Sequence, residues 1–125
     1  MSKQTKYDID LKPLYPGLTK IELSQVKKLT DHPWFNRTLC QVNDSVVRVG
    51  VLKGEFHWHA HEYEDEFFYV VDGVLHIEID GQDTVTLNPN EGIVVPRGVR
   101  HRPYTPEGAT VLMVEKESIV PTGSE

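Results

Sequence analysis

An all-β sandwich or barrel is the fold this sequence predicts, on three observations. Glycine- and proline-centred turn signals recur about every eight to twelve residues. The stretches between them are short and rich in β-branched and aromatic residues, such as Phe67-Phe68-Tyr69-Val70-Val71. No long helical period interrupts the pattern. At 125 residues the chain is long enough for one domain with a real core.

The elements follow in order. Residues 1–36 form an irregular arm broken at Pro13, Pro16 and Gly17. Within it Ser24 is expected to cap a short helix running to about Leu29, with Val26 and Leu29 on one face. The barrel is expected over residues 37–116, with strands near 45–53, 55–61, 66–71, 74–80, 83–87, 92–95, 99–104 and 109–115. Glu62-Tyr63-Glu64-Asp65 reads as an acidic turn, and Asp72-Gly73 and Asp80-Gly81 as hairpin turns, where glycine supplies positive φ. Asn88-Pro89-Asn90-Glu91-Gly92, Pro96-Arg97-Gly98 and Pro106-Glu107-Gly108 punctuate the rest. Residues 117–125 form a tail, flexible from Pro121 on.

Composition narrows the function. A formal net charge of −6, with no basic run longer than Lys27-Lys28, argues against nucleic acid or an anionic membrane as partner. No apolar run approaches the roughly 20 residues of a membrane helix, and no apolar signal segment stands at the N-terminus. The single cysteine, Cys40, cannot form an intrachain disulfide and fits a reducing cytoplasm, where it reads as a small buried hydrophobe.

The chemistry concentrates in His57-Trp58-His59-Ala60-His61, followed by Glu66 and, further on, His101. On a strand, side chains at i, i+2 and i+4 share one face, so the three imidazoles align while Trp58 and Ala60 face away. A turn at residues 62–65 would carry Glu66 back beside them. Imidazole nitrogens with a carboxylate oxygen suit a divalent transition metal: Fe, Mn, Ni, Zn or Co. A lone histidine on a strand is ordinarily packed or surface-exposed; this many ligand-type residues together favour a site. His76 alternates with Leu75 and Ile77 and belongs to the polar face, and His32 precedes Pro33 in a loop. Both are expected at the surface.

These residues resemble the cupins. The first cupin motif, a glycine, His-x-His, a glutamate and a further glycine, is filled by Gly54, His59, His61, Glu66 and Gly73; the second, Pro-x-Gly-x-x-His, by Pro96, Gly98 and His101. The metal motif is also similar to that of mannose-6-phosphate isomerase-like cupins. Departures are a Gly54 one residue nearer the first ligand, a Gly92 nearer Pro96, Thr105 where many cupins have asparagine, and the extra His57. The resemblance implies a double-stranded β-helix, His59, His61, Glu66 and His101 as metal ligands, and a homodimer. His57 shares the ligand parity and is expected at the rim or behind a ligand rather than on the ion.

Three imidazoles and one carboxylate would leave a divalent ion with net charge near +1 and, if octahedral, open positions for a small-molecule ligand or substrate. Arg100 and Arg102 flank His101 and point outward if His101 points inward, which weakens a sugar-phosphate isomerase reading. Phe56, Phe68, Tyr104 and Met113 are the expected cavity walls, with Trp58 and Tyr69 on the opposite parity. An apolar pocket of this kind suits oxygenase or lyase chemistry, with isomerase chemistry as a further option. The alternatives are a non-catalytic binding or sensing barrel and a barrel whose metal is structural.

Overall fold

In the computed structural model, which describes residues 6–124, the strands run in the order β1 (Asp8–Asp10), β2 (Trp34–Val42), β3 (Ser45–Glu55), β4 (Glu66–Gly73), β5 (Leu75–Ile79), β6 (Val85–Leu87), β7 (Gly92–Val95) and β8 (His101–Lys116). One short helix, α1 (Leu23–Val26), lies between β1 and β2. The all-β expectation is met.

β8 is the spine. β3 pairs antiparallel along one of its edges, and β4 and then β5 pair antiparallel along the other. β7 extends the sheet beyond β4, β6 beyond β5, and β2 beyond β3, with β1 parallel to β2 at the outer edge. Alternation along β4 and β8 sends Phe68, Val70, Val111 and Met113 inward, where they meet Leu52, Phe56, Leu75 and Ile77 in the main core. On the outer face, Val26 of α1 packs on Leu39 and Val49. The arm therefore covers its own sheet, and Leu14 N–H and Tyr15 N–H donate to Thr38 and Leu39 carbonyls of β2.

Several expected boundaries move. The strands expected at 99–104 and 109–115 are one strand, β8, because Pro106-Glu107-Gly108 forms a bulge rather than a turn. Leu52 pairs with Ala109 and Gly54 with Thr105, so these three residues have no partner on β3. Asp72-Gly73 is likewise a bend between β4 and β5, which follow each other along β8, and not a hairpin. Gly73 is required there: at φ 79° a Cβ would lie 2.2 Å from the Gly108 carbonyl oxygen. Asp80-Gly81 does join paired strands, β5 and β6.

The strand expected at 55–61 is not continuous. β3 ends at Glu55, Phe56 N–H turns to the Pro103 carbonyl, and pairing resumes only as isolated bridges at His59 and Ala60. α1 begins after Glu22, not at Ser24, which lies inside it. One turn is too short to bring Leu29 onto the face of Val26, and Leu29 stays exposed. The tail expected to be flexible is docked: Ile119 is buried, and Ser124 exchanges two backbone hydrogen bonds with Ala60, both 2.9 Å. Among the described residues no helix is long and apolar enough to cross a membrane.

Candidate metal centre

His59, His61, Glu66 and His101 come from three places in the fold: the irregular segment after β3, the first residue of β4 and the first residue of β8. Backbone hydrogen bonds hold them together. His59 N–H donates to the His101 carbonyl at 3.0 Å, His101 N–H returns a bond at 2.9 Å, and Gly98 N–H donates to the His61 carbonyl at 2.8 Å. The Asp65 carboxylate accepts the Arg97 N–H at 2.9 Å, tying the turn before Glu66 to the turn before His101. Each of the four side-chain-bearing residues is at most 5% exposed. One ligand atom from each can be chosen so that all four lie within 4.8 Å of one another.

The donor atoms are presented correctly for a cation. His59 Nδ1 lies 3.0 Å from the His57 carbonyl, and His101 Nδ1 lies 3.0 Å from the Val99 carbonyl. A carbonyl only accepts, so both rings carry their proton on Nδ1 and turn an Nε2 lone pair the other way. His61 Nε2 stands 3.3 Å from Glu66 Oε1, and His101 Nε2 stands 3.6 Å from the same oxygen. His61 Nε2, Glu66 Oε1 and His101 Nε2 are buried with no hydrogen-bond partner among the described residues. Converging lone pairs without a donor are costly when buried, and a divalent cation resolves that cost. The set fits a transition metal on this ground as well as on ligand type.

Electrostatics point the same way. Burial, reinforced by the neighbouring His101, pushes the His59 imidazole down to about 3, so it stays neutral. Burial alone would raise the Glu66 carboxyl; His101 and His61, when protonated on the Nε2 atoms that face it, lower it to about 2, the direction in which a bound cation in their place would also act.

The cavity beside the cluster measures about 30 Å³ and is reached by His59 and Glu66. Phe56, Phe68 and Met113 line it, together with Trp34, Asn36, Leu52, Pro103 and Pro121. A single water needs about 10–15 Å³ on this measure, so the space beside the cluster is small. Tyr104 is a correction: it is displaced by an odd number of residues from His101 and faces outward, stacked on His76 with ring centroids 4.8 Å apart. His76 itself bonds Thr86 Oγ1 at 2.9 Å on that outer face. His32 is half-buried and accepts the Trp34 N–H at 3.0 Å.

His57 lies beside the four but outside them. Its Nε2 meets the Thr122 carbonyl at 2.7 Å, which requires a proton there, so Nδ1 accepts from the Tyr7 hydroxyl at 3.0 Å. The ring is stacked on Phe56 and its centroid is 5.3 Å from that of His59. It joins the arm to the docked C-terminal segment, whose Pro121 closes the cavity. Arg102 faces away from the cavity, bound to Glu78 at 2.6 Å and Glu55 at 3.2 Å, and Arg100 lies over Trp58.

Sequence reasoning missed two buried ionisable side chains, Arg48 and Glu115. Arg48 of β3 donates to Thr38 Oγ1 at 2.5 Å and to Asn36 Oδ1, and burial lowers its pKa against the pull of Glu115 and Glu66. Glu115 stands opposite Glu66 in the β4–β8 register, with neither carboxylate oxygen hydrogen-bonded among the described residues. Burial pushes its carboxyl up to about 9; the Glu66 carboxylate adds to the effect and Arg48 opposes it. The signal existed: Glu115 shares the parity of Met113, which was already placed inward.

Comparison with known proteins bears on the family and the fold. Residues 46–115 match the Cupin_2 family of cupin domains. A crystal structure of a cupin-2 domain protein from Shewanella frigidimarina superposes with a TM-score of 0.71 at 32% identity, covering 77% of this chain and 93% of that one. The SPY1581 protein of Streptococcus pyogenes superposes with a TM-score of 0.66 at 28% identity, covering 82% and 90%. The uncharacterized protein YdbB of Bacillus subtilis is 39% identical over 67 residues, 54% of this chain; the match spans 59% of the length of that relative.

Proposed function

The chain belongs to the cupin family, and from that premise we propose that it is a metal-dependent enzyme acting on a small molecule that binds the metal directly. The observation carrying this is the convergence of His59, His61, Glu66 and His101, all buried, with His61 Nε2, Glu66 Oε1 and His101 Nε2 short of hydrogen-bond partners among the described residues, beside a small cavity that His59 and Glu66 line. When bound, a divalent Fe, Mn, Co, Ni or Zn ion would supply Lewis acidity to a coordinated oxygen, or a place where two reactants meet. The protein's own contribution is positional. Val99 and His57 carbonyls fix the tautomers of His101 and His59, Glu66 lowers the net charge of the site, and Phe56, Phe68 and Met113 keep bulk water out. Oxygenase or lyase chemistry suits this lining better than sugar-phosphate isomerisation, because neither Arg100 nor Arg102 faces the cavity.

One observation favours a second reading, a metal that is structural or a barrel that binds without turnover: the cavity is only about 30 Å³. Elemental analysis of untagged protein, followed by oxygen uptake and product formation with small diols, diketones and thiols, separates the two. Turnover with any reconstituted ion supports the enzyme; stoichiometric metal with a silent panel moves the assignment to the binding or structural barrel. The assembly belongs to the same proposal, a homodimer in a reducing cytoplasm, and sedimentation equilibrium tests the dimer.

A further inference from the structure

Outside the metal cluster the cavity wall holds one carboxamide, Asn36 of β2. Its orientation is set from behind. Arg48 donates from Nη2 to Asn36 Oδ1, and a guanidinium has no acceptor, so the oxygen of the carboxamide must face Arg48. The Nδ2 hydrogens then point along the other branch. Among the described residues nothing accepts from them, although Asn36 is only 8% exposed and lines the same cavity as His59 and Glu66.

Arg48 is itself immobilised. It is 2% exposed, bonded to Thr38 and Asn36, and placed by the pairing of Thr38 with Arg48 across β2 and β3. Its positive charge polarises the amide in the direction that strengthens Nδ2 as a donor. The same cavity is lined by His59 and Glu66, whose cluster, with an ion, would hold one oxygen of a small molecule. A molecule with two acceptor oxygens a short distance apart can satisfy both sides at once. Of the remaining wall, Phe56, Phe68 and Met113 offer apolar contact, and Trp34 presents a large aromatic ring.

Resting on the metal reading above, we propose that Asn36, held by Arg48, is the specificity-determining residue of the cavity. It donates to a carboxylate or carbonyl oxygen of a substrate of few heavy atoms, whose other oxygen binds the metal. The substrate class is therefore a short carboxylic or 2-oxo acid rather than an amine, a thiol or a simple alcohol.

The test uses the full chain loaded with Co(II), whose visible spectrum reports ligand exchange. Two anionic probes are titrated: acetate, with two oxygens, and methanethiol, which binds as a thiolate and has no second acceptor. The ratio of their affinities is compared among the wild type, Asn36→Asp and Asn36→Ala. Asp keeps the bond to Arg48 and replaces the donor by an acceptor, so it protects the experiment should Ala fold poorly. Because both probes are anions, the ratio cancels the added charge of Asp. Loss of a hydrogen bond to a charged oxygen predicts a fall in the acetate preference of about 10-fold or more in both variants. An unchanged ratio with intact cobalt spectra overturns the role of Asn36 and leaves the metal reading standing. A wild type that takes up no cobalt overturns the metal reading, and the proposal with it.

Discussion

His59 and His101 exchange both of their backbone hydrogen bonds, at 3.0 and 2.9 Å, across an isolated antiparallel bridge. Their rings follow, with centroids 4.3 Å apart. Two residues far apart in sequence are thus registered by the main chain, and side-chain truncation should remove a ligand without releasing the scaffold. His59→Ala and His101→Ala are each expected to abolish stoichiometric metal binding while His76→Ala, on the outer face, retains it. Elemental analysis after dialysis checks this, and equal loss in all three variants would contradict the assignment.

His57→Ala is expected to keep the metal, with affinity lowered within the roughly 10- to 100-fold range of residues that support ligands. The bond from His59 Nδ1 goes to the His57 carbonyl, which the substitution leaves in place. What disappears is the tie from the ring to the Thr122 carbonyl. Faster amide exchange at residues 119–124, alongside retained metal, is the expected signature.

Acid should destabilise the metal-free protein through His59. Its folded pKa, about 3, lies below the ordinary 6.5, so the unfolded state takes up the proton first as pH falls. The stability contributed by the neutral ring is complete above about pH 6.5 and is lost progressively toward pH 3. Replacing His59 with Asn removes that titration. Thermal melts of metal-free protein should show a shallower fall between those pH values in His59→Asn than in the wild type.

Glu115 works in the opposite direction. Its folded pKa, raised to about 9 from 4.5, means that the folded state holds a proton which the unfolded state has already released. That contribution is fully present below about pH 4.5 and is lost as pH rises through 9. Glu115→Gln, an isostere of the protonated acid, should melt higher than the wild type at pH 8.5 and differ little at pH 5. A wild type that gains stability on the same pH rise, relative to the variant, would show that Glu115 is ionised and paired with Arg48.

The legible parts of the sequence were those where alternation and turn residues act locally. β7 falls where Gly92 and Pro96 bracket it, and β5 follows Leu75, Ile77 and Ile79. β2 escaped because Trp34-Phe35-Asn36-Arg37-Thr38 mixes buried polar and apolar residues, and Asn36 and Thr38 are buried with their side-chain oxygens bonded to Arg48, a partner ten or more residues away. Pro106 and Gly108 misled for a related reason: a turn signal is indistinguishable from a bulge until the partner strand is known, and Gly73 of β4 is what faces Gly108. The ligand-type residues were visible as a set through their motif. Tyr104 and Glu115 were not, although counting parity from His101 and Met113 would have placed both.

β8 has one further consequence. It begins at His101, ends beyond Glu115, and shares its edges with β3, β4 and β5. No strand separates the part that presents a ligand-type residue from the part that closes the core. Release of a bound ion by thermal fraying of His101 would have to peel the same strand that keeps β3 and β5 together, so metal escape and global unfolding should share one clock. A colour change on losing cobalt would then report the lifetime of the whole folded chain.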